Sequence, residues 1–278
     1  MPTEPILNFG TPGREWKLAP QEEARQAIPP IRGYTYQFHR TAEAWIDLRE
    51  DQFLYLEVAE DFAKIVQNPD QLDEVLQATL VKETRESGSV TLNSADVLEA
   101  IQRLFDLQEQ NRGRTINFTF LTTSPIGREK KSPLPSKRPA LKVWQIAAEA
   151  GDAAEIREAL LLRFQTGSIR EFLKSSTDDQ LRNRLLTALT FSCGEDDGTQ
   201  VESRNREELV RRRSEVDASA DMAHRAYDVI VSEVVRTILA PGTRMLDRQK
   251  FMDLFSRATN FGVPSQVHLN MLAELVPR

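Results

Sequence analysis

Between residues 53 and 121 the period of the apolar pattern switches from two to 3.6 and back, and that order restricts the fold more than any other feature. Phe53-Leu54-Tyr55-Leu56-Glu57-Val58 has the near-continuous apolar content of an internal strand, and residues 75–83 read as the next strand, with a helix prolonged through Leu72-Asp73-Glu74-Val75-Leu76 as the alternative. Behind the N-cap candidates Asn93 and Ser94, the residues Val97, Ile101, Leu104, Phe105 and Gln108 recur at helical spacing. Ile116, Phe118 and Phe120 then alternate with Asn117, Thr119 and Leu121 up to Ser124-Pro125. A strand, a crossover helix and a returning strand make a parallel pair. A helix is also predicted over 34–49 from Phe38, Ala42, Trp45, Ile46 and Leu48. The pattern therefore predicts an α/β fold, a mixed sheet with helices on both faces.

At 278 residues the chain exceeds the ~250 at which single cores stop growing, so two domains are expected. Pro2, Pro5, Pro12, Pro20, Pro29 and Pro30 mark residues 1–32 as an extended arm, ahead of an α/β domain at 33–126. Residues 127–142, with Pro133, Pro135 and Pro139, read as a basic linker. The remainder, 143–278, reads as an all-helical domain for self-association or partner docking. Its helices are predicted at 144–150, 153–163, 169–173, 181–191, 206–240, 247–260 and 264–275, with a polar loop at 194–198. Leu275-Val276-Pro277-Arg278 matches a thrombin-type cleavage stretch, which leaves room for a longer native chain, and is set aside.

Several function classes are excluded by composition. A single cysteine, Cys193, cannot form an internal disulfide, and His39, His224 and His268 lack metal-ligand spacing. The phosphate loop Gly-x-x-x-x-Gly-Lys is absent, which argues against ATP hydrolysis by this chain. No apolar run approaches the ~18 residues of a membrane span and Met1-Pro2-Thr3-Glu4 opens no signal peptide, so a cytoplasmic protein with no membrane partner is expected. A net charge of −6 argues against strong general nucleic-acid binding, but residues 127–142 carry six basic side chains against Glu129 alone. Arg128, Lys130, Lys131, Lys137 and Arg138 are the candidate DNA contacts, and Arg211-Arg212-Arg213 is a second basic cluster. For both, the plain alternative is a solvated linker or helix face.

The chemistry-bearing residues stand at the ends of the strand-like runs. Glu60-Asp61 follows the first and Lys82 ends the second, so if the runs lie side by side a carboxylate and an ammonium meet at one sheet edge. Phosphodiester hydrolysis needs a cation to neutralise developing phosphate charge and a positioned water. Hard magnesium takes oxygen ligands, which makes Asp61 the candidate anchor with Glu60 or Glu57 as helper, and Lys82 the group that polarises the water. Strand residues 80 and 82 face one side, so a second ligand belongs at position 80, where this chain has Leu80. The plain alternatives are a solvated acidic turn and an edge lysine that discourages aggregation.

Gly33-Tyr34-Thr35-Tyr36-Gln37, Leu56-Glu57-Val58-Ala59-Glu60-Asp61-Phe62, Leu80-Val81-Lys82 and Val90-Thr91-Leu92-Asn93-Ser94-Ala95-Asp96, taken in that order, resemble the double-stranded-DNA nuclease domain of bacterial anti-phage effectors. That domain is the Mrr-like branch of the PD-(D/E)xK restriction-endonuclease superfamily, found in CBASS effectors and in nucleases that assemble with a hexameric translocase. The resemblance covers roughly residues 30 to 150. It implies a restriction-endonuclease-like sheet and a magnesium- or manganese-dependent endonuclease acting on double-stranded DNA. Asp61 would bind the metal, Lys82 would be catalytic, Gln37 matches the glutamine of the family's first helix, and Glu43 is a further acidic contributor. Implied partners are DNA, further copies of the chain, and a translocase ATPase or a C-terminal sensor domain. The family carries Gln-x-Lys or Glu-x-Lys where this chain has Leu80-Val81-Lys82, and that departure keeps open a catalytically degenerate DNA-binding or assembly module.

Overall fold

The computed structural model describes residues 28–57, 60–67, 74–83, 88–130, 134–150 and 152–260. Helix α1 (Ile28–Ile46) leads into three antiparallel strands, β1 (Phe53–Leu56), β2 (Phe62–Gln67) and β3 (Glu74–Lys82). Helix α2 (Ala95–Gln110) then crosses over to β4 (Thr115–Thr122), which runs parallel to β3 from Val75↔Thr115 to Lys82↔Thr122. The crossover read from the change of period is thus present, and the mixed α/β class stands. Two short strands from the second half, β5 (Leu189–Cys193) and β6 (Met245–Asp247), complete a six-stranded sheet in the order β5-β4-β3-β2-β1-β6.

The structure corrects the sequence reading in several places. β1 and β3 do not lie side by side, because β2 runs between them. Phe62-Ala63-Lys64-Ile65-Val66 was a strand signal hidden behind the acidic pair that precedes it. Helix α1 begins inside the expected arm, with Pro29 and Pro30 in its first turn, where a missing N–H removes no helical bond; residues 1–27 lie outside the described residues. The single helix expected at 181–191 is instead a short α6 (Asp178–Leu181), a π-helical turn at Arg182–Leu186, and β5, in which Leu189 and Phe191 are buried alternately. The helix expected at 206–240 divides into α7 (Gly198–Arg211) and α8 (Ala220–Leu239), separated by a 3₁₀ turn and a left-handed Asp217. Asp197 caps α7 by accepting from Thr199 and Gln200 N–H, so the polar loop at 194–198 is a helix start. Apolar periodicity alone could not show these breaks. The second half is therefore not all-helical, and the helix expected at 264–275 lies outside the described residues.

Each face of the sheet carries its own core. On one face Ala78, Leu80, Phe118 and Phe120 pack with Ile101 and Leu104 of α2, Trp144 of α3 (Ala140–Ala150), and residues of α4 (Ala154–Arg163) and α5 (Ser168–Ser175). On the other, Leu54, Leu56, Phe62 and Val81 pack with Tyr36 and Trp45 of α1, Tyr227 and Ile230 of α8, and Phe251 of α9 (Arg248–Asn260). Both buried indoles have acceptors: Trp45 Nε1 donates to Asp247 O at 2.9 Å and Trp144 Nε1 to Leu186 O at 3.1 Å. None of the helices described is long and apolar enough to cross a membrane.

Glu129 and Gly127, in the basic segment after β4, are held by hydrogen bonds to their neighbours. Glu129 is buried and accepts from Leu92 N at 3.2 Å and from Ala140 N at the start of α3. Gly127 bonds its N–H to Val90 O at 2.8 Å, and a Cβ on it would lie 2.0 Å from Ser89 Oγ and 2.6 Å from Ser89 Cβ. Gly127→Ala is expected to destabilise the fold by about 1–3 kcal/mol through that overlap, as measured by urea unfolding.

Candidate active site at the β1–β2 turn

Asp61 enters β2 from a tight turn closed by Glu57 N donating to Asp61 O at 3.1 Å. In the β2–β3 register Phe62 faces Thr79, so one step further Asp61 stands opposite Leu80. Phe62 and Val81 belong to the α1 side and Ala63, Ala78 and Leu80 to the α2 side. Alternation therefore sets Leu80 and Lys82 on the α2 side, and Asp61, just before β2, lies close enough to Lys82 for that charge to act on its carboxyl. Asp61 Oδ2 accepts from Val81 N at 2.5 Å. Burial pushes the Asp61 carboxyl up to about 6, and the nearby Glu57 charge adds to that, while the Val81 N–H, Lys82 and Arg103 oppose it. Lys82 Nζ lies 3.5 Å from Asp96 Oδ1 in the first turn of α2.

Glu57 has a left-handed backbone, φ 53°, a conformation that costs a residue with a Cβ about 1–2 kcal/mol. The turn breaks strand alternation. Buried Gln37 on α1 donates from Nε2 to Glu57 Oε1 at 2.5 Å. Gln37, Glu57, Asp61 and Lys82 are thus brought to one end of β1–β3. Glu57→Gly removes the strain but also the acceptor of the buried Gln37 amide, so the two effects oppose and the expected change in Tm by calorimetry is small.

Glu60 turns toward α2, where Arg103 Nη1 sits 2.7 Å from its Oε2. Its side chain is 1% exposed, and its Oε1 has no hydrogen-bond partner among the described residues. Burial raises its carboxyl to about 6, with Arg103 opposing and Asp61 adding to the rise. Glu43 is drawn off into a separate ion-pair cluster, with Arg40 at 2.9 Å and Arg204 at 2.6 Å. Arg40 also reaches Glu195 at 3.1 Å, and Arg204 pairs with Asp196, which ties α1 to the start of α7. Asp96 and Arg103 were missed in the sequence; the Glu99–Arg103 spacing marked only an ordinary i,i+4 surface pair.

The donor set is compatible with a hard cation. Asp61 supplies a carboxylate, and Glu60 has an unfilled buried oxygen and a carboxyl that the Asp61 charge helps to raise. Leu80, 4% exposed in the core, supplies no ligand, and among the described residues no cluster of three or more His, Cys, Asp or Glu is arranged to hold a metal. Magnesium held by one or two carboxylates fills the rest of its shell with water and substrate phosphate.

Arg128, Lys130, Lys137 and Arg138 are exposed, and Lys131 lies outside the described residues. Arg128 and Lys130 share a groove of about 700 Å³ with Ser89, Thr91, Asn93 and Arg163. The groove adjoins the first turn of α2, the turn that carries Asp96. The other basic cluster takes the plain reading: Arg211 and Arg212 pair with Glu208, and Arg212 also donates to Ile46 O at 2.7 Å.

No protein-family model matches the chain, and no curated protein matches it either. Among solved structures it is similar to the Cap4 SAVED/CARF-domain containing receptor of Moraxella osloensis, with 12% identity, a TM-score of 0.49, and coverage of 85% of this chain and 49% of that one. The Acinetobacter baumannii Cap4 receptor, solved with the cyclic trinucleotide 3'3'3'-cAAA, gives 12% identity, a TM-score of 0.48, and coverage of 82% and 44%. The chain spans about half the length of these receptors.

Proposed function

We propose that this chain is a metal-dependent endonuclease acting on double-stranded DNA in bacterial anti-phage defence. The observation that supports the reading is that the charges of Lys82 and Glu57 both act on the Asp61 carboxyl, with Gln37 bonded to Glu57. The defence setting rests on the resemblance of the quoted motifs, as do self-association and a translocase or sensor partner.

Asp61 and Glu60 are the groups that would hold magnesium or manganese, which when bound supplies charge neutralisation at the scissile phosphate. Gln37 fixes the Glu57 carboxylate, and Glu57 keeps negative charge next to Asp61. Lys82, released from Asp96, offers an ammonium to the phosphoryl oxygens and the attacking water. The Arg128–Lys130 groove supplies the cations for a duplex backbone. Plasmid incubated with the protein and magnesium or manganese is expected to be nicked; absence of nicking at every protein concentration removes the reading.

One observation favours a second reading. Leu80, buried opposite Asp61, leaves the second strand ligand empty, as in a nuclease fold retained for DNA binding or assembly. In that case the unmodified chain is silent and Leu80→Gln creates metal-dependent cleavage. Robust cleavage by the unmodified chain eliminates it.

A further inference from the structure

At the opposite end of the sheet, where α2 ends and β4 begins, a polar cleft of about 720 Å³ opens between the α2–β4 turn and the π-helical turn. Seven residues of β4 separate its level from that of Lys82, a distance of about 23 Å. The cleft is lined by Arg112, Arg114 and Arg184 with Glu109 as the one acid, a local surplus of two positive charges on a chain of net charge −6.

The three guanidiniums are held differently. Arg184 is fixed between the rings of Phe105 and Phe172, its Cζ 4.6 and 4.9 Å from their centroids, and it pairs with Glu109. Arg112 bonds the other oxygen of Glu109 at 2.6 Å. Arg114 makes no ion pair among the described residues, in a protein where most other arginines do. Arg184 sits on the π-helical turn, a rare backbone form that recurs at functional sites. Asn117 and Asn183 add amide donors to the same wall.

We propose that this cleft binds a phosphate monoester. A surplus of two charges matches a dianion, and the planar fork of arginine fits phosphate oxygens in pairs. The volume lies within the range of small-ligand sites, with room for an attached nucleoside that Asn117 and Asn183 would bond. A free mononucleotide and the terminal phosphate of a nucleic-acid strand share this chemistry. The site is independent of the nuclease reading.

Isothermal titration of the full chain with adenosine monophosphate, and with a short oligonucleotide bearing a terminal phosphate, tests the proposal. Adenosine and the unphosphorylated oligonucleotide serve as controls. Both phosphorylated probes are expected to bind, adenosine to fail, and the unphosphorylated oligonucleotide to bind more weakly than its phosphorylated form by the margin that Arg114→Gln removes. Arg114→Gln and Arg112→Gln are each expected to weaken binding about tenfold while leaving the unliganded Tm unchanged, because both side chains are exposed. Asp61→Ala is expected to bind as the unmodified chain does. Tighter binding of the oligonucleotide assigns the site to strand ends, and tighter binding of the mononucleotide assigns it to free nucleotides. No binding at millimolar probe, equal binding of adenosine, or full affinity in both arginine variants overturns the proposal.

Discussion

Lys82→Ala is expected to lower plasmid cleavage by a factor on the order of 10²–10³, the effect of deleting one charge aimed at a phosphoryl transition state. The Lys82–Asp96 pair is 36% and 45% exposed and contributes little to stability, so the Tm of this variant stays at the unmodified value. Asp61→Asn is expected to lose at least as much activity. Its amide oxygen can still accept from Val81 N, so the folded state is kept and the loss reports on the charge. The two changes act on one unit, and the double variant is expected to lose little more than the worse single one. With the Asp61 carboxyl at about 6 in the folded chain, protons compete with the cation below that pH. Cleavage should rise about tenfold per pH unit up to pH 6 and then level off. A pH-independent rate across that range would mean that Asp61 is not the anchor.

Arg103→Leu is expected to lower stability in a pH-dependent way. Glu60 is raised by burial to about 6 even with Arg103 beside it, and without that guanidinium it rises further. A carboxyl with a folded-state pKa above its ordinary value favours the folded chain fully at low pH, and that advantage is lost as pH rises through the folded value. At pH 7.5 the variant keeps a buried acid with no counter-charge. Its expected deficit is about 2 kcal/mol after discounting for the half-exposed Arg103, or roughly 4–8 °C in Tm. At pH 4.5 Glu60 holds its proton in the variant and the deficit shrinks. Calorimetry at both pH values checks this, and a deficit equal at the two would assign the loss to packing instead.

The sheet was legible where single segments carried their own period. Val97, Ile101, Leu104 and Phe105 fixed α2, Phe118 and Phe120 fixed β4, and their order implied the parallel pair. The edges were not. Met245-Leu246-Asp247 is too short to show a period, and Leu189-Thr190-Phe191 followed Leu181, Leu185 and Leu186 closely enough to pass for one helix. At the candidate site, Asp61 and Lys82 could be singled out because they stand beside strand ends. The fates of Glu60 and Glu43 depended on Arg103 and on the distant Arg204, whose approach only the tertiary fold determines.

The short strands that flank β4 and β1 are supplied late in the chain. β5 covers the outer edge of β4 and β6 that of β1, so a chain released before residue 247 has at least one raw border of unpaired N–H and C=O groups. An amino-terminal fragment cut at the basic segment would keep every residue of the candidate active site yet tend to stack on its own copies. The carboxy-terminal half thus completes the sheet that holds the candidate site.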